Sequence, residues 1–168
     1  MADSSTMIRL YRQSDAQALA VLADNPNVCH YLMNRFPSPY TLEDATQWVA
    51  RFGRESEQYI FAIEWQGQLV GGIGLEPMAD VHSLTADVGY WVGESYWGKG
   101  IATQALRLMV RHAFDSLHFL RLQAMVFAEN KNSARVLEKN GFALEGRLKR
   151  HITKHGRVYD ALLYAKTR

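Results

Sequence analysis

The chain has 168 residues, which suits one domain with a sizeable core. Its composition, 48% hydrophobic and 21% charged, is that of a globular protein and excludes a disordered chain. A net charge of +2 does not argue by itself for a nucleic-acid binder. One cysteine, Cys29, excludes an internal disulfide and a cysteine zinc cluster.

No uncharged apolar run is long enough to span a bilayer. The start, Met1-Ala2-Asp3-Ser4-Ser5, lacks a basic segment followed by an apolar run, so no signal peptide is expected. The lone cysteine fits a reducing, cytoplasmic setting. No repeat or linker divides the chain, so a single domain over residues 1–168 is expected.

In chain order, Met7 to Tyr11 is a short strand candidate. Ser14-Asp15-Ala16-Gln17 reads as a capping box opening a helix with Ala18, Leu19, Val21 and Leu22. Asn25-Pro26 reads as a cap and first position of a second helix, which carries Val28, Tyr31 and Leu32. Phe36-Pro37-Ser38-Pro39-Tyr40 is a stiff extended loop. Thr41-Leu42-Glu43-Asp44 opens a third helix with Leu42, Ala45, Trp48, Val49 and Phe52 on one side.

Tyr59 to Trp65 and Gln68 to Leu75 form a hairpin around Gln66-Gly67. Gly71, Gly72 and Gly74 in its second strand imply a bulge or a close backbone approach. Pro77 to Ser83 is a loop. Leu84 to Val92 alternates with period two, as a pleated strand does. The turn Trp97-Gly98-Lys99-Gly100-Ile101-Ala102-Thr103 then leads into a helix, with an apolar stripe from Ile101 to Leu117. Arg121 to Phe127 is a strand. Asn130 to Asn140 is a helix stopped by Gly141. Phe142 to Ile152 and Arg157 to Ala165 make a last hairpin around His155-Gly156. This order gives an α/β (α+β) fold with a mixed sheet.

The strand, glycine turn and helix carry the chemistry. The first turn of a helix offers unused N–H groups at the positive end of the helix dipole. Glycines let that backbone approach a ligand closely, and the natural ligand is a phosphate. The turn lacks the third glycine of the dinucleotide fingerprint. It also lacks the Gly-Lys-Ser/Thr ending of a P-loop, because Ile101 follows Gly100.

Three blocks together are more specific. Asp87-Val88-Gly89-Tyr90-Trp91-Val92, the turn from Trp97 to Ala102, and Asn130-Lys131-Asn132-Ser133 through Asn140-Gly141-Phe142 resemble the GNAT N-acetyltransferases, most of all the RimJ/RimL-like branch. The resemblance implies a GNAT-like acyl-CoA N-acyltransferase fold, with a mixed, mostly antiparallel sheet, flanking helices and splayed central strands. It implies acetyl-CoA as co-substrate, no metal, and a primary amine acceptor, either a protein N-terminus or a small molecule. Gly98, Lys99, Gly100, Ile101, Ala102 and Thr103 would hold the pyrophosphate. Trp97 stands where the family carries Gln or Arg. Backbone groups of Tyr90, Trp91 and Val92 would hold the pantetheine arm and polarise the thioester carbonyl. Asn130 and Ser133 match the Asn and Ser of the family's Asn-x-x-Ser cofactor contact.

Asp87 is the base candidate, acting through a water. The alternatives are a structural carboxylate held by backbone N–H groups, or His82 as base. Leu137 stands where many relatives carry a tyrosine acid, so Ser133 is the acid candidate, with helix capping as the alternative. Tyr31 and Phe36, in the helical block that usually forms the acceptor side, are substrate-binding candidates with Asp87. Packing of the helices is the competing role for both aromatic residues, and for Trp48.

Lys139 or Arg135 would meet the 3′-phosphate or be solvated at the surface. The basic residues Arg147, Lys149, Arg150, His151, Lys154, His155 and Arg157 crowd the last hairpin. There they protect an edge strand or bind an acidic partner or RNA. A non-catalytic acyl-CoA sensor is the alternative function. A homodimer through an exposed apolar or edge-strand surface is compatible with the sequence.

Overall fold

The computed structural model describes residues 5–168. The leaderless start expected at Met1-Ala2-Asp3-Ser4 lies outside the described residues. Seven strands form one mixed sheet in the order β1-β2-β3-β4-β5-β7-β6. They are β1 (Thr6–Arg9), β2 (Ile60–Trp65), β3 (Gln68–Pro77), β4 (Thr85–Val92), β5 (Arg121–Phe127), β6 (Ala143–Lys154) and β7 (Arg157–Thr167). The helices are α1 (Ala16–Ala23), α2 (Pro26–Cys29), α3 (Leu42–Phe52), α4 (Ile101–Arg111) and α5 (Lys131–Lys139). No helix among the described residues is long and apolar enough to cross a membrane.

The chain divides into two compact units. The first comprises the described residues up to Gly74 together with Tyr90–Leu108. Its core gathers Tyr11, Leu19, Ala20, Ala23, Tyr40, Ala45, Val49, Ala62 and Leu69. Helix α3 forms where expected, because Thr41 accepts from the Asp44 N–H while Asp44 accepts from the Thr41 N–H. Asn25 caps α2 by accepting from the Asn27 N–H at 2.8 Å, with Pro26 at the first position.

Helix α1 departs from the sequence reading. Ser14 makes no cap. A short 3₁₀ turn at Gln13–Asp15 precedes the helix, and Asp15 accepts from the Arg12 N–H at 2.7 Å. Asp15 is held there by Arg9, whose guanidinium reaches it at 2.7 Å and also pairs with Glu64 of β2. A buried ion pair set by distant residues outweighs the local capping preference of serine. The inward face of α1 is Leu19, Ala20 and Ala23, while Val21 is 67% exposed.

The hairpin β2–β3 turns at Gln66-Gly67, and its register shifts between Ile63 and Glu64. The expected close approach is present beside that bulge. A Cβ added to Gly71 would lie 2.1 Å from the carbonyl oxygen of Trp91, and one added to Gly72 would lie 2.6 Å from the Tyr11 hydroxyl. The glycines are therefore what lets this part of β3 lie against the end of β4.

The second unit comprises Leu75–Gly89 and Met109–Arg168. Leu84 precedes the strand rather than opening it, and β4 begins at Thr85. Here β4 pairs with β5 in parallel through Thr85↔Arg121, Ala86↔Leu122 and Asp87↔Gln123. The ladder ends at that third pair, although β5 continues and stays paired with β7 as far as Phe127↔Ala161. Helix α4 does not run regularly to Leu117. It widens into a π turn at His112–Ser116.

The β6–β7 hairpin bulges between Leu148 and Ile152. Arg150 there adopts a left-handed conformation, φ +54°, and its N–H donates to the Asp160 carboxylate at 2.8 Å. Arg147 also holds Asp160, and Arg157 lies over the Tyr159 ring at 5.7 Å. Several of the basic hairpin residues thus have partners within the hairpin itself.

Candidate functional site

In the first unit, β4 ends at Val92 and a 3₁₀ turn, Glu94–Tyr96, leads into the glycine turn. Glu94 accepts from Asn25 at 2.7 Å and from Asn27 at 2.9 Å, which ties this turn to the start of α2. Gly98 and Gly100 are both left-handed, φ +76° and +77°, and a Cβ on either would stand in open space. Side chains are disfavoured there by conformation and not by crowding. The helix ladder begins with the Gln104 N–H donating to the Gly100 carbonyl at 3.1 Å. The backbone N–H groups ahead of that bond belong to the first turn, where the helix supplies no acceptor. Ile101 is buried at 2% exposure, so its side chain serves the core and only its backbone is available to a ligand. Ala102 and Thr103 are half-buried.

The residues beside this turn are fixed by aromatic and indole contacts. Trp97 donates its indole N–H to the Val92 carbonyl at 2.7 Å. The ammonium of Lys99 lies 5.1 Å from the centre of the Trp65 ring and 5.2 Å from that of Tyr96. Tyr90 and Trp91 are half-buried and Val92 is buried.

Phe36 lies against Tyr40 and Trp91, with ring centres 5.2 and 5.7 Å away, and packs on the core of this unit. Tyr31 is half-buried with its ring edge on His30 at 4.4 Å. Trp48 packs on Phe52 and Tyr11, yet 36% of it stays exposed. Burial pushes the Tyr40 hydroxyl up to about 12, so it is neutral at physiological pH.

In the second unit, Asp87 is half-buried on β4 opposite Gln123. Among the described residues no hydrogen bond or ion pair engages its side chain, so the backbone-held structural carboxylate considered from sequence is absent. Gln123 instead accepts from Arg121 at 3.1 Å. His82 is exposed, in a 3₁₀ turn at Asp80–His82.

Asn130 caps α5 by accepting from the Ser133 N–H at 3.2 Å. The cap is thus Asn130, and Ser133 is the capped residue. The Ser133 side chain is half-buried at the first turn of the helix, and Leu137 is fully buried. Arg135 borders a groove of about 210 Å³ between α5 and β7, lined also by Lys131, Ala134, Glu138, Leu162 and Tyr164. Tyr164 donates to Glu138 at 2.9 Å, and Lys139 stands outside the lining. No group of three His, Cys, Asp or Glu side chains suited to a metal occurs among the described residues.

Two sets of contacts escaped sequence reasoning. The ties of Glu94 to Asn25 and Asn27 and of Lys99 to Trp65 join residues far apart in the chain. Only the aromatic character of Trp65 and Tyr96 around a lysine-bearing turn hinted at the second.

A left-handed double-glycine turn that leads into a helix N-terminus is an arrangement suited to an anion. Residues 6–143 match the acetyltransferase (GNAT) domain, and the chain belongs to that family; it is an N-acetyltransferase. It is 28% identical over 164 residues to YoaA, an uncharacterized N-acetyltransferase of Bacillus subtilis, covering 95% of this chain and 91% of the relative. It is 34% identical over 107 residues to the ribosomal-protein-serine acetyltransferase of Escherichia coli, covering 64% of this chain and 59% of that one. The structure of Mycobacterium smegmatis RimJ in complex with CoA-disulfide superposes with a TM-score of 0.83 at 29% identity, covering 96% of this chain and 81% of that one. These similarities bear out the GNAT fold and the RimJ/RimL-like branch.

Proposed function

We propose that this chain moves the acetyl group of acetyl-CoA to a primary amine, and that a peptide N-terminal amine is the first acceptor to test. The observation that carries the reading is the paired left-handed Gly98 and Gly100 at the N-terminus of α4. The open space over both glycines suits a pyrophosphate, which a side chain there would displace. The ribosomal-protein-serine acetyltransferase and the CoA-bound RimJ support the acceptor and the co-substrate respectively. We take residues 1–168 as one GNAT domain, since the family match crosses both units.

Backbone N–H groups of Gly98, Lys99, Gly100, Ile101, Ala102 and Thr103 hold the pyrophosphate. Backbone groups of Tyr90, Trp91 and Val92 hold the pantetheine arm, and one N–H near Trp91 or Val92 polarises the thioester carbonyl. Asn130 acts on the cofactor side and fixes the first turn of α5. Asp87, whose carboxylate has no protein partner among the described residues, orders a water that takes a proton from the incoming ammonium. The amine nitrogen then bonds to the carbonyl carbon and gives up a second proton to solvent, and the carbon–sulfur bond breaks to leave the amide. The departing thiolate takes a proton from Ser133 or from solvent and leaves as CoA thiol. Tyr31 remains an acceptor-side candidate. Phe36 contributes by packing on Trp91.

The test is thiol release from acetyl-CoA with a panel of peptides, polyamines, amino acids and aminoglycosides. Acetyl transfer to peptides bearing a free N-terminus, abolished by blocking that amine, is the expected result. Turnover with small amines alone moves the acceptor to that class. Binding of acetyl-CoA with no turnover on any amine would make the chain a sensor.

A further inference from the structure

We propose that Lys99 is a positioning residue: its ammonium group is committed to the faces of Trp65 and Tyr96, and this contact fixes the glycine turn for CoA. The proposal rests on the functional reading above. A lysine between two glycines of a phosphate-binding turn is ordinarily taken as a counter-charge for the phosphate. Here the ammonium instead lies 5.1 Å from the Trp65 ring centre and 5.2 Å from the Tyr96 ring centre, within cation–π range of both. The two rings meet edge to face, 6.0 Å apart at 73°.

The aromatic pair has a firm mount. Trp65 is the last residue of β2 and faces Gln68, the first residue of β3, across the tight hairpin turn. Tyr96 closes the 3₁₀ turn just before the glycine turn, and its hydroxyl donates to Gln68 at 3.3 Å. The hairpin end, Tyr96 and Lys99 therefore form one cluster.

The turn has a physical need for such a cluster. Gly98 and Gly100 supply the left-handed geometry, but glycine also has the largest conformational freedom to lose on ordering. A turn with two glycines aims its N–H groups well only if something else restrains it. Trp97 does so by bonding the Val92 carbonyl, and Lys99 does so through the aromatic pair. Restraint before binding lowers the cost of ordering the turn on the ligand.

Calorimetric titration with CoA separates positioning from counter-charge. Lys99→Met and Trp65→Leu should each weaken CoA binding by about two- to fivefold, the factor that an exposed cation–π contact supports. The double variant should bind no more weakly than Lys99→Met alone, because Lys99→Met already removes the Lys99–Trp65 contact that Trp65→Leu removes. Lys99→Arg should recover most of the lost affinity, and Trp65→Phe should lose less than Trp65→Leu. The salt dependence of CoA binding should be the same in Lys99→Met as in the wild type.

A loss in Lys99→Met with a flatter salt dependence and no loss in Trp65→Leu would overturn the proposal and make Lys99 a direct phosphate ligand. Unchanged affinity in both single variants would overturn it as well. A wild-type protein that fails to bind CoA would instead overturn the functional reading, and the proposal with it.

Discussion

Trp97 donates its indole Nε1–H to the backbone carbonyl of Val92 at 2.7 Å, joining the glycine turn to the end of the strand before it. This residue stands where the resemblance leads one to expect Gln or Arg. The indole secures the turn through the strand's own carbonyl. Trp97→Phe keeps the ring and removes the donor. A hydrogen bond of this kind is worth about 0.5–1.5 kcal/mol. The variant should bind CoA about two- to tenfold more weakly, measured by calorimetry, with its circular dichroism spectrum preserved.

The close approach at Gly71 makes a stability prediction independent of any ligand. A methyl there meets the Trp91 carbonyl oxygen at 2.1 Å, and backbone has little room to give. Gly71→Ala should destabilise the fold by about 1–3 kcal/mol in denaturant unfolding. Gly89→Ala, where the added Cβ meets nothing within 4 Å, is the matched control and should cost far less. Equal losses in the two would refute the close-approach argument.

Much of this was legible in the sequence because it is local. The Thr41–Asp44 box, the Asn25-Pro26 start and the Gln66-Gly67 turn each depend on residues a few positions apart. The glycine turn was legible for the same reason. The rest was set at long range. Arg9 and Glu64 decide that Asp15, and not Ser14, organises the start of α1. Asp160 holds Arg150 left-handed in a bulge that alternation alone reads as regular strand. The sequence leaves Phe36 open between an acceptor-side role and packing, and its partner, Trp91, lies far along the chain. The carboxylate of Asp87 was legible as a residue, but its lack of a partner among the described residues was not.

Asp160 also carries a pH prediction. The Arg150 N–H, and then Arg147, hold its carboxyl below the ordinary value of 3.8. A carboxyl depressed on folding stabilises the folded state above its unfolded pKa and loses that contribution as pH falls through its folded pKa. The hairpin should therefore keep this contact at neutral pH and release it only below the ordinary carboxylate range. Carbon-detected NMR titration of the Asp160 carboxyl should give a midpoint below 3.8. Asp160→Asn should remove the corresponding acid-dependent change in the Arg150 amide shift.

Asp87→Asn tests the proton route. The change preserves size and removes basicity. General-base assistance is worth roughly a hundred- to ten-thousand-fold, and a water-mediated carboxylate should lie toward the lower end. With a working acceptor, kcat/KM should fall at least about tenfold at neutral pH and recover in part at high pH, where the amine supplies its own lone pair. A ratio of wild type to variant that stays flat with pH would leave Asp87 an electrostatic role only.

The central claim is that the Gly98–Gly100 turn at the head of α4 holds CoA by its backbone. Calorimetric titration of acetyl-CoA into the wild type and Gly100→Asp addresses it directly. Asp at this position places a side chain and a negative charge in the open space over a left-handed residue, φ +77°. Acetyl-CoA should bind the wild type clearly, and binding should be almost completely lost in a Gly100→Asp protein that still shows the wild-type circular dichroism spectrum. Undiminished affinity in that folded variant would contradict it.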